Sequence, residues 1–253
     1  MKRLLIRPGA IGDCILSLPA LEHLNAGYTE VWVPSVVVPL IGFADRVCAI
    51  SSTGIDRLEI DDNLRKRLDG FDEIVSWYGA NRPEFRAALN AVFHAALPPA
   101  DCGLHATDFF ARQVGAPCGL LPRLPVVRPT AHRSIVIQPF SGSAKKNWPL
   151  DRYRALAARL PLPVTWIAGP EEKLEGAQRF DNLRELAGFI AGAALYIGND
   201  SGITHLAAAS GAPTLALFSA TNPKVWAPRG ANVTVLKDAP IDVVLEAANR
   251  LLG

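Results

Sequence analysis

Four stretches of the chain hold residue types whose spacing suits chemistry on phosphorylated or hydroxylic ligands. The first is Arg7-Pro8-Gly9-Ala10-Ile11-Gly12-Asp13, where an opening apolar run ends. Gly9 and Gly12 permit a tight strand-to-helix turn and a close backbone approach to a ligand. The GxxGD spacing is not the GxGxxG dinucleotide fingerprint, and an acid at this point is ill placed for a pyrophosphate. A carboxylate at the mouth of a cleft suits removal of a proton from a hydroxyl, and the competing role for Asp13 is that of a helix N-cap. Neighbouring Cys14 reads either as a thiol activated by the helix terminus or as a packed one.

The second stretch, Gln138-Pro139-Phe140-Ser141-Gly142-Ser143-Ala144-Lys145-Lys146-Asn147-Trp148-Pro149, is a strand, a loop of small residues with two lysines, and a helix opening. Loop amides, hydroxyls such as Ser141 and an ammonium together form a phosphate cradle; the alternative is a surface loop with solvated lysines. The third, Trp166-Ile167-Ala168-Gly169-Pro170-Glu171-Glu172, ends a strand in a Gly-Pro turn. Its carboxylates suit ribose hydroxyls, or else they are ordinary helix-start acids. The fourth runs from Gly198 to Ala209 and contains Asn199, Asp200, Ser201, Gly202, Thr204 and His205. Here a strand ends in a polar turn and an Ala-rich helix starts at once, so the amides of Ser201 to Thr204 and the positive helix end suit a diphosphate. Asp200 either caps that helix or holds a sugar hydroxyl, and His205 sits in its first turn.

Positioning these groups requires strands that end where the motifs begin. Short apolar runs alternate with helical patterns, which predicts an α/β protein with parallel sheets. In the first half the expected strands are 3–7, 30–33, 47–50 and 73–77. A helix is expected over 83–96, with Phe85, Leu89, Val92 and Phe93 on one face. Pro19 predicts either a kinked first helix or a turn followed by a restart near Ser17. Between Gly115 and His132 the prolines Pro117, Pro122, Pro125 and Pro129 mark a linker. The pattern then restarts: strands 134–138, 164–168, 195–198, 214–218 and 233–236, with helices 150–160, 183–192, 203–209 and 241–252. The expected architecture is two Rossmann-like, doubly wound domains facing a cleft, residues 1–125 and 126–253, with the last helix free to pack back on the N-terminal domain.

Composition narrows the function classes. The 253 residues are 49% apolar, enough for sizeable cores. Lys and Arg total 26 against 24 acids, a net charge of +2 that leaves no electrostatic footprint for nucleic acid. Cys14, Cys48, Cys102 and Cys118 form no CxxC pair and read as reduced thiols of a cytoplasmic protein. No signal peptide or membrane span is expected, because Arg7-Pro8-Gly9 interrupts the first apolar run and Pro34 and Pro39 break the longest one. Any membrane contact is therefore peripheral. Arg65-Lys66-Arg67, with Arg57, reads either as a patch for an acidic glycolipid or membrane surface, or as a solvated helix face. No DxD motif with an apolar flank is present, so neither a metal nor any other cofactor is expected.

Three longer blocks, RPGAIGDCILSLPALEHL, SGSAKKNWPLDRYRAL and DNLRELAGFIAGAALYIGNDSGITHLAAASGAPTLALF, resemble the glycosyltransferase family that contains the ADP-heptose:lipopolysaccharide heptosyltransferases, family 9. The resemblance covers nearly all of the second half, and in the first half the opening strand and loop. It implies a GT-B fold and an inverting, metal-independent transfer of a heptose-like sugar from a nucleotide diphosphate donor such as ADP-heptose. The acceptor implied is a lipopolysaccharide core or related glycan or glycolipid, and the place the cytoplasm, with peripheral contact at the inner membrane. Carried onto this chain, it makes Asp13 the general base and Lys146 the lysine on the donor phosphates. Glu172 would meet the ribose and Asp200 the transferred sugar, while Ser201, Gly202, Thr204 and His205 surround the diphosphate. The chain is shorter than most members, mainly in the first half, and Phe140 replaces a small residue. That reduction suggests a rival: a catalytically silent nucleotide-sugar-binding protein with a reduced acceptor lobe.

Overall fold

The computed structural model describes residues 1–57, 60–126 and 131–253, and the chain divides into two units, Met1–Leu120 and Leu121–Gly253. Of the proline-marked stretch, Pro129 lies outside the described residues.

The first unit runs β1 (Lys2–Ile6), α1 (Ile11–His23), β2 (Tyr28–Val33), β3 (Arg46–Ala49), α2 (Asp62–Leu68), β4 (Glu73–Ser76), α3 (Pro83–Ala88), β5 (Val92–Phe93) and α4 (Ala106–Gln113). Among the described residues its strands form a five-stranded parallel sheet in the order β3-β2-β1-β4-β5. β1 is central, and the chain leaves it first toward β2 and β3, then returns to its other side for β4 and β5. The crevice of such a sheet opens where that direction reverses, at the carboxyl ends of β1 and β4. The Gly9–Asp13 turn stands there. One face of the sheet is sealed by Leu4, Ile6, Trp32, Ile74, Phe85 and Leu89.

The second unit runs β6 (His132–Gln138), α5 (Leu150–Ala157), β7 (Val164–Trp166), α6 (Leu183–Ala191), β8 (Ala193–Asn199), α7 (Gly202–Ala209), β9 (Thr214–Phe218), α8 (Pro223–Trp226), β10 (Val233–Lys237) and α9 (Ile241–Leu252). Its described strands form a second parallel sheet of five, ordered β10-β9-β8-β6-β7, with the reversal between β6 and β8. Period-2 alternation puts Ile135 and Ile137 of β6 on the same face as Leu195 and Ile197 of β8, where Tyr153, Leu156 and Val244 cover them. Helix α9 packs on β8, β9 and α5 of its own unit.

One local expectation is corrected, and one pair of alternatives is decided. The 83–96 segment is not one helix: α3 stops at Ala88, and Val92–Phe93 joins the sheet edge as β5, paired with Val75 and Ser76. The i, i+4, i+7 spacing of Phe85, Leu89 and Val92 fits both outcomes. An open edge on β4 decided for the strand, since it offers hydrogen bonds that no local pattern reveals. Phe85 and Leu89 are buried as expected, whereas Val92 is exposed. In α1, Pro19 neither ends the helix nor forces a restart, because the element is continuous from Ile11 to His23. Leu16, Leu18, Ala20 and Leu21 are buried around it, and packing holds the turn that the missing N–H weakens.

Candidate functional site

In the second unit the register Gln138↔Gly198 makes β6 and β8 end level, so the loops that follow them leave the sheet side by side. This brings Lys146 and Asp200 together: the Lys146 ammonium is 2.8 Å from Asp200 Oδ2. The same oxygen accepts the Thr221 hydroxyl at 2.6 Å. Asp200 is buried and Lys146 partly exposed, so a charge-assisted bond closes the floor of a site whose rim is open to solvent. Lys145 is exposed, and its carbonyl accepts the Ser219 hydroxyl.

The loop that carries Lys146 is built by short local bonds. The Ser141 hydroxyl reaches Asn147 Oδ1 at 2.7 Å and the Ser143 carbonyl at 2.9 Å. A residue not singled out from the sequence then fastens this loop to β8. Asn199, fully buried, accepts the Trp148 amide at 2.8 Å and the Tyr153 hydroxyl at 2.9 Å, and donates to the Pro139 carbonyl at 2.8 Å. In sequence, an Asn before Asp-Ser-Gly reads as turn chemistry, which masks a buried anchor.

Beyond Asp200, Ser201 is the N-cap of α7 and its hydroxyl accepts the Thr204 amide at 3.3 Å. Capping occupies that amide, and among the described residues the amides of Gly202 and Ile203 remain as donors at the positive helix end. Thr204 is turned inward, its hydroxyl bonded to the Asn199 carbonyl and 3.3 Å from the Tyr196 hydroxyl. It therefore supports the turn from behind, with its side chain directed at β8. Tyr196 donates to Gln138 Oε1 at 3.1 Å, and burial pushes the phenols of both Tyr196 and Tyr153 up, so both stay protonated donors. Gly198 is tightly enclosed here: a Cβ would lie 2.4 Å from the Tyr196 hydroxyl and 2.9 Å from that of Thr204. His205 is buried, with Nε2 3.9 Å from Asp200 Oδ1.

On the neighbouring strand, the two candidate acids separate. Glu171 is exposed, while Glu172 folds back so that Oε2 accepts the Gly169 amide at 2.6 Å. The Glu172 carboxylate thereby faces the end of the sheet, close enough to Tyr196 to disfavour its ionisation. Beside the Lys146 loop a cavity of about 190 Å³ is lined by Trp148, Arg152, Phe218, Ser219 and Asp238.

Asp13 belongs to the first unit. It is not the N-cap of α1, a position held by Ala10, but the third helical residue, and its Oδ2 accepts the Ala10 amide at 3.0 Å. Gly9 adopts φ of 122°, and a Cβ there would come within 3.1 Å of the Asp13 carboxylate, so glycine is needed twice over. Gly12 is already inside the first turn of α1 and does not shape the bend. Cys14 is packed: burial raises its thiol to about 11, which removes the activated alternative. Past β4 and β5, a cavity of about 480 Å³ is lined by Trp77, Asn81, Arg86, Phe93, His94 and Ala96, among others. Burial lowers the pKa of His94, which favours a neutral ring.

The basic run on α2 is divided. Arg67 pairs with the buried Glu30 and lies over the Trp32 ring at 4.7 Å, so it serves the core. Lys66 is exposed, and the Arg65 guanidinium bonds the Ala88 carbonyl. Among the described residues no three His, Cys, Asp or Glu side chains group as a metal ion would need, and no helix is long and apolar enough to cross a membrane. The four cysteines are free thiols.

Two parallel, doubly wound units, with an anion-suited helix start at the strand reversal of the second, are the architecture of the GT-B fold. The structure superposes on E. coli ADP-heptose lipopolysaccharide heptosyltransferase II with a TM-score of 0.75, at 19% identity, over 100% of this chain and 98% of that one. For a family 9 glycosyl transferase from Veillonella parvula the values are 0.73 and 18%, over 99% and 97%. For E. coli heptosyltransferase WaaC with ADP they are 0.66 and 16%, over 99% and 98%. Residues 123–242, within the second unit, match the model of glycosyltransferase family 9 (heptosyltransferase). Comparison with curated proteins gives no match.

Proposed function

We propose that this protein is an inverting, metal-independent glycosyltransferase that moves a heptose-like sugar from ADP-heptose to a hydroxyl of a lipopolysaccharide core or related glycan. The observation that carries the reading is the Lys146–Asp200 pair set beside the amides that open α7. A cation and oriented amides are what a departing diphosphate needs, and a buried carboxylate among them suits the hydroxyls of the sugar it leaves. Solved relatives with ADP and with ADP-2-deoxy-2-fluoro heptose lend support for the donor.

In this mechanism the first unit is the acceptor side and the second the donor side. Asp13 accepts the proton of the acceptor hydroxyl, whose oxygen attacks the anomeric carbon from the face opposite the nucleotide. The bond from that carbon to the diphosphate oxygen breaks, and the electron pair leaves with ADP. Lys146 and the Gly202 and Ile203 amides meet the charge that develops there. Glu172 receives the ribose hydroxyls, Ser141 shapes the phosphate loop, and Ser201, Thr204 and His205 hold the helix start. The acceptor enters by the cavity around Trp77, Arg86 and His94. The protein acts in the cytoplasm, in peripheral contact with the inner membrane.

The test is incubation with ADP-heptose and a heptose-deficient lipopolysaccharide core, with and without EDTA. Release of ADP with a product of inverted anomeric configuration, unaffected by chelation, is the expected result. A thermal shift with ADP but no turnover would instead identify the silent nucleotide-sugar binder. Loss of activity on chelation, restored by magnesium or manganese, would overturn the metal-independent mechanism.

A further inference from the structure

Arg7 is fully buried, and among the described residues no carboxylate lies within ion-pair distance of it. A long cationic side chain is almost never buried in this way unless its donors are satisfied, and here all three of its nitrogens are engaged. Nε donates to Ser17 Oγ at 2.9 Å. Nη1 donates to the Pro8 carbonyl at 2.7 Å and to the Ala96 carbonyl at 3.2 Å, and Nη2 to the Asp13 carbonyl at 3.0 Å. The guanidinium lies 4.5 Å from the centre of the Phe110 ring on α4.

These partners are not scattered. Pro8 and Asp13 bracket the glycine turn, Ser17 is one turn further along α1, and Ala96 belongs to the wall of the cavity past β4 and β5. One planar fork therefore fixes both ends of the turn that aims Asp13, and ties that turn to the neighbouring cavity wall. Core packing alone would be served at less desolvation cost by an apolar residue of similar volume. We propose that Arg7 is a positioning residue for the Asp13 carboxylate, setting where it stands relative to the cavity around Trp77 and Ala96. This rests on the reading of Asp13 as the base.

Misplacement of a reacting group by about 1 Å can cost roughly a hundredfold in rate. Arg7→Ala should accordingly lower kcat by about ten- to a hundredfold, with KM for ADP-heptose and the ADP dissociation constant unchanged, since the donor site is in the other unit. Arg7→Lys keeps the charge but loses the fork, and should stay low. In an Asp13→Asn background, Arg7→Ala should cost nothing more, a non-additivity that a general loss of stability would not produce.

Wild-type kcat in Arg7→Ala or full recovery in Arg7→Lys, while Asp13→Asn remains inactive, overturns the positioning role alone. Near-normal turnover in Asp13→Asn, or no turnover by the wild-type protein, removes the base and this inference with it. If Arg7→Ala does not fold, Ser17→Ala and Phe110→Leu loosen the same guanidinium. Either should lower kcat without changing ADP affinity, and wild-type kcat in both would overturn the proposal.

Discussion

The Lys146 ammonium and the buried carboxylate of Asp200 stand 2.8 Å apart, at the ends of two adjacent strands that are separated in sequence by the whole of α5, β7 and α6. The pair joins a partly exposed cation to a buried anion, so a ligand that takes up the cation must also leave Asp200 with a partner. The Thr221 hydroxyl already supplies one, and sugar hydroxyls would supply more.

Lys146→Ala should weaken ADP binding by about 1.5–3 kcal/mol, the range for a hydrogen bond to a charged group. Adenosine, which offers no phosphate, should bind almost unchanged. Lys145→Ala, which removes an exposed side chain that makes no ion pair with Asp200 among the described residues, should have the smaller effect on both. Calorimetric titration of both variants with both ligands checks this. Greater sensitivity at Lys145 would mean the wrong lysine has been assigned, and no effect at either would remove the phosphate cradle.

Asp13→Asn retains an oxygen that can accept the Ala10 amide, so the start of α1 should survive and thermal melting should change little. Turnover should nevertheless fall by roughly a hundredfold or more, the usual scale for a general base. Turnover near that of the wild type would reduce Asp13 to a helix-start acid.

Gly198→Ala inserts a methyl group 2.4 Å from the Tyr196 hydroxyl, inside a turn already filled by Thr204. Overpacking of this kind should cost about 1–3 kcal/mol in chemical denaturation. Tyr196→Phe in the same background should recover part of the loss, because it removes the nearest of the clashing atoms. A Gly198→Ala protein as stable as the wild type would show that the turn is looser than these distances require.

Asn199→Ala leaves the Trp148 amide and the Tyr153 hydroxyl without their acceptor. Stranding the buried Tyr153 hydroxyl should cost about 1–3 kcal/mol, and the part-buried Trp148 amide less. Because the same residue anchors the Lys146 loop, ADP affinity should fall along with stability. Unchanged affinity at a temperature where the variant is fully folded would separate the loop from the anchor.

Cys14 should resist alkylation in the folded protein at pH 8. With its thiol raised to about 11, only about one part in a thousand is thiolate there, and the group is also inaccessible. The exposed Cys118 should react first. Mass spectrometry after a timed iodoacetamide pulse gives the order, and early labelling of Cys14 would contradict its packing.

The alternation of apolar runs with helical patterns determined the parallel α/β class and the start of each functional turn, because strand ends and helix starts are announced by local signals: glycine at Gly9, small polar residues at Ser141 and Ser201. Local signals also placed a carboxylate after β1 and a cation after β6. What they left open is which of two neighbours faces inward. Lys146 over Lys145 and Glu172 over Glu171 is a matter of side-chain direction, and direction depends on how the loop is fastened. Asn199 does that fastening for the Lys146 loop, from a strand that is adjacent to β6 only because the sheet reverses between β6 and β8, while the Gly169 amide holds Glu172. The same holds for Arg7, which reads as an interruption of an apolar run until the carbonyls of Asp13 and Ala96 are found around it. Val92 and Phe93 became a strand for a related reason: the edge of β4 supplied partners that a segment cannot announce by itself. Local chemistry fixes what each residue can do, and the long-range pairing of backbone segments decides which of them do it together.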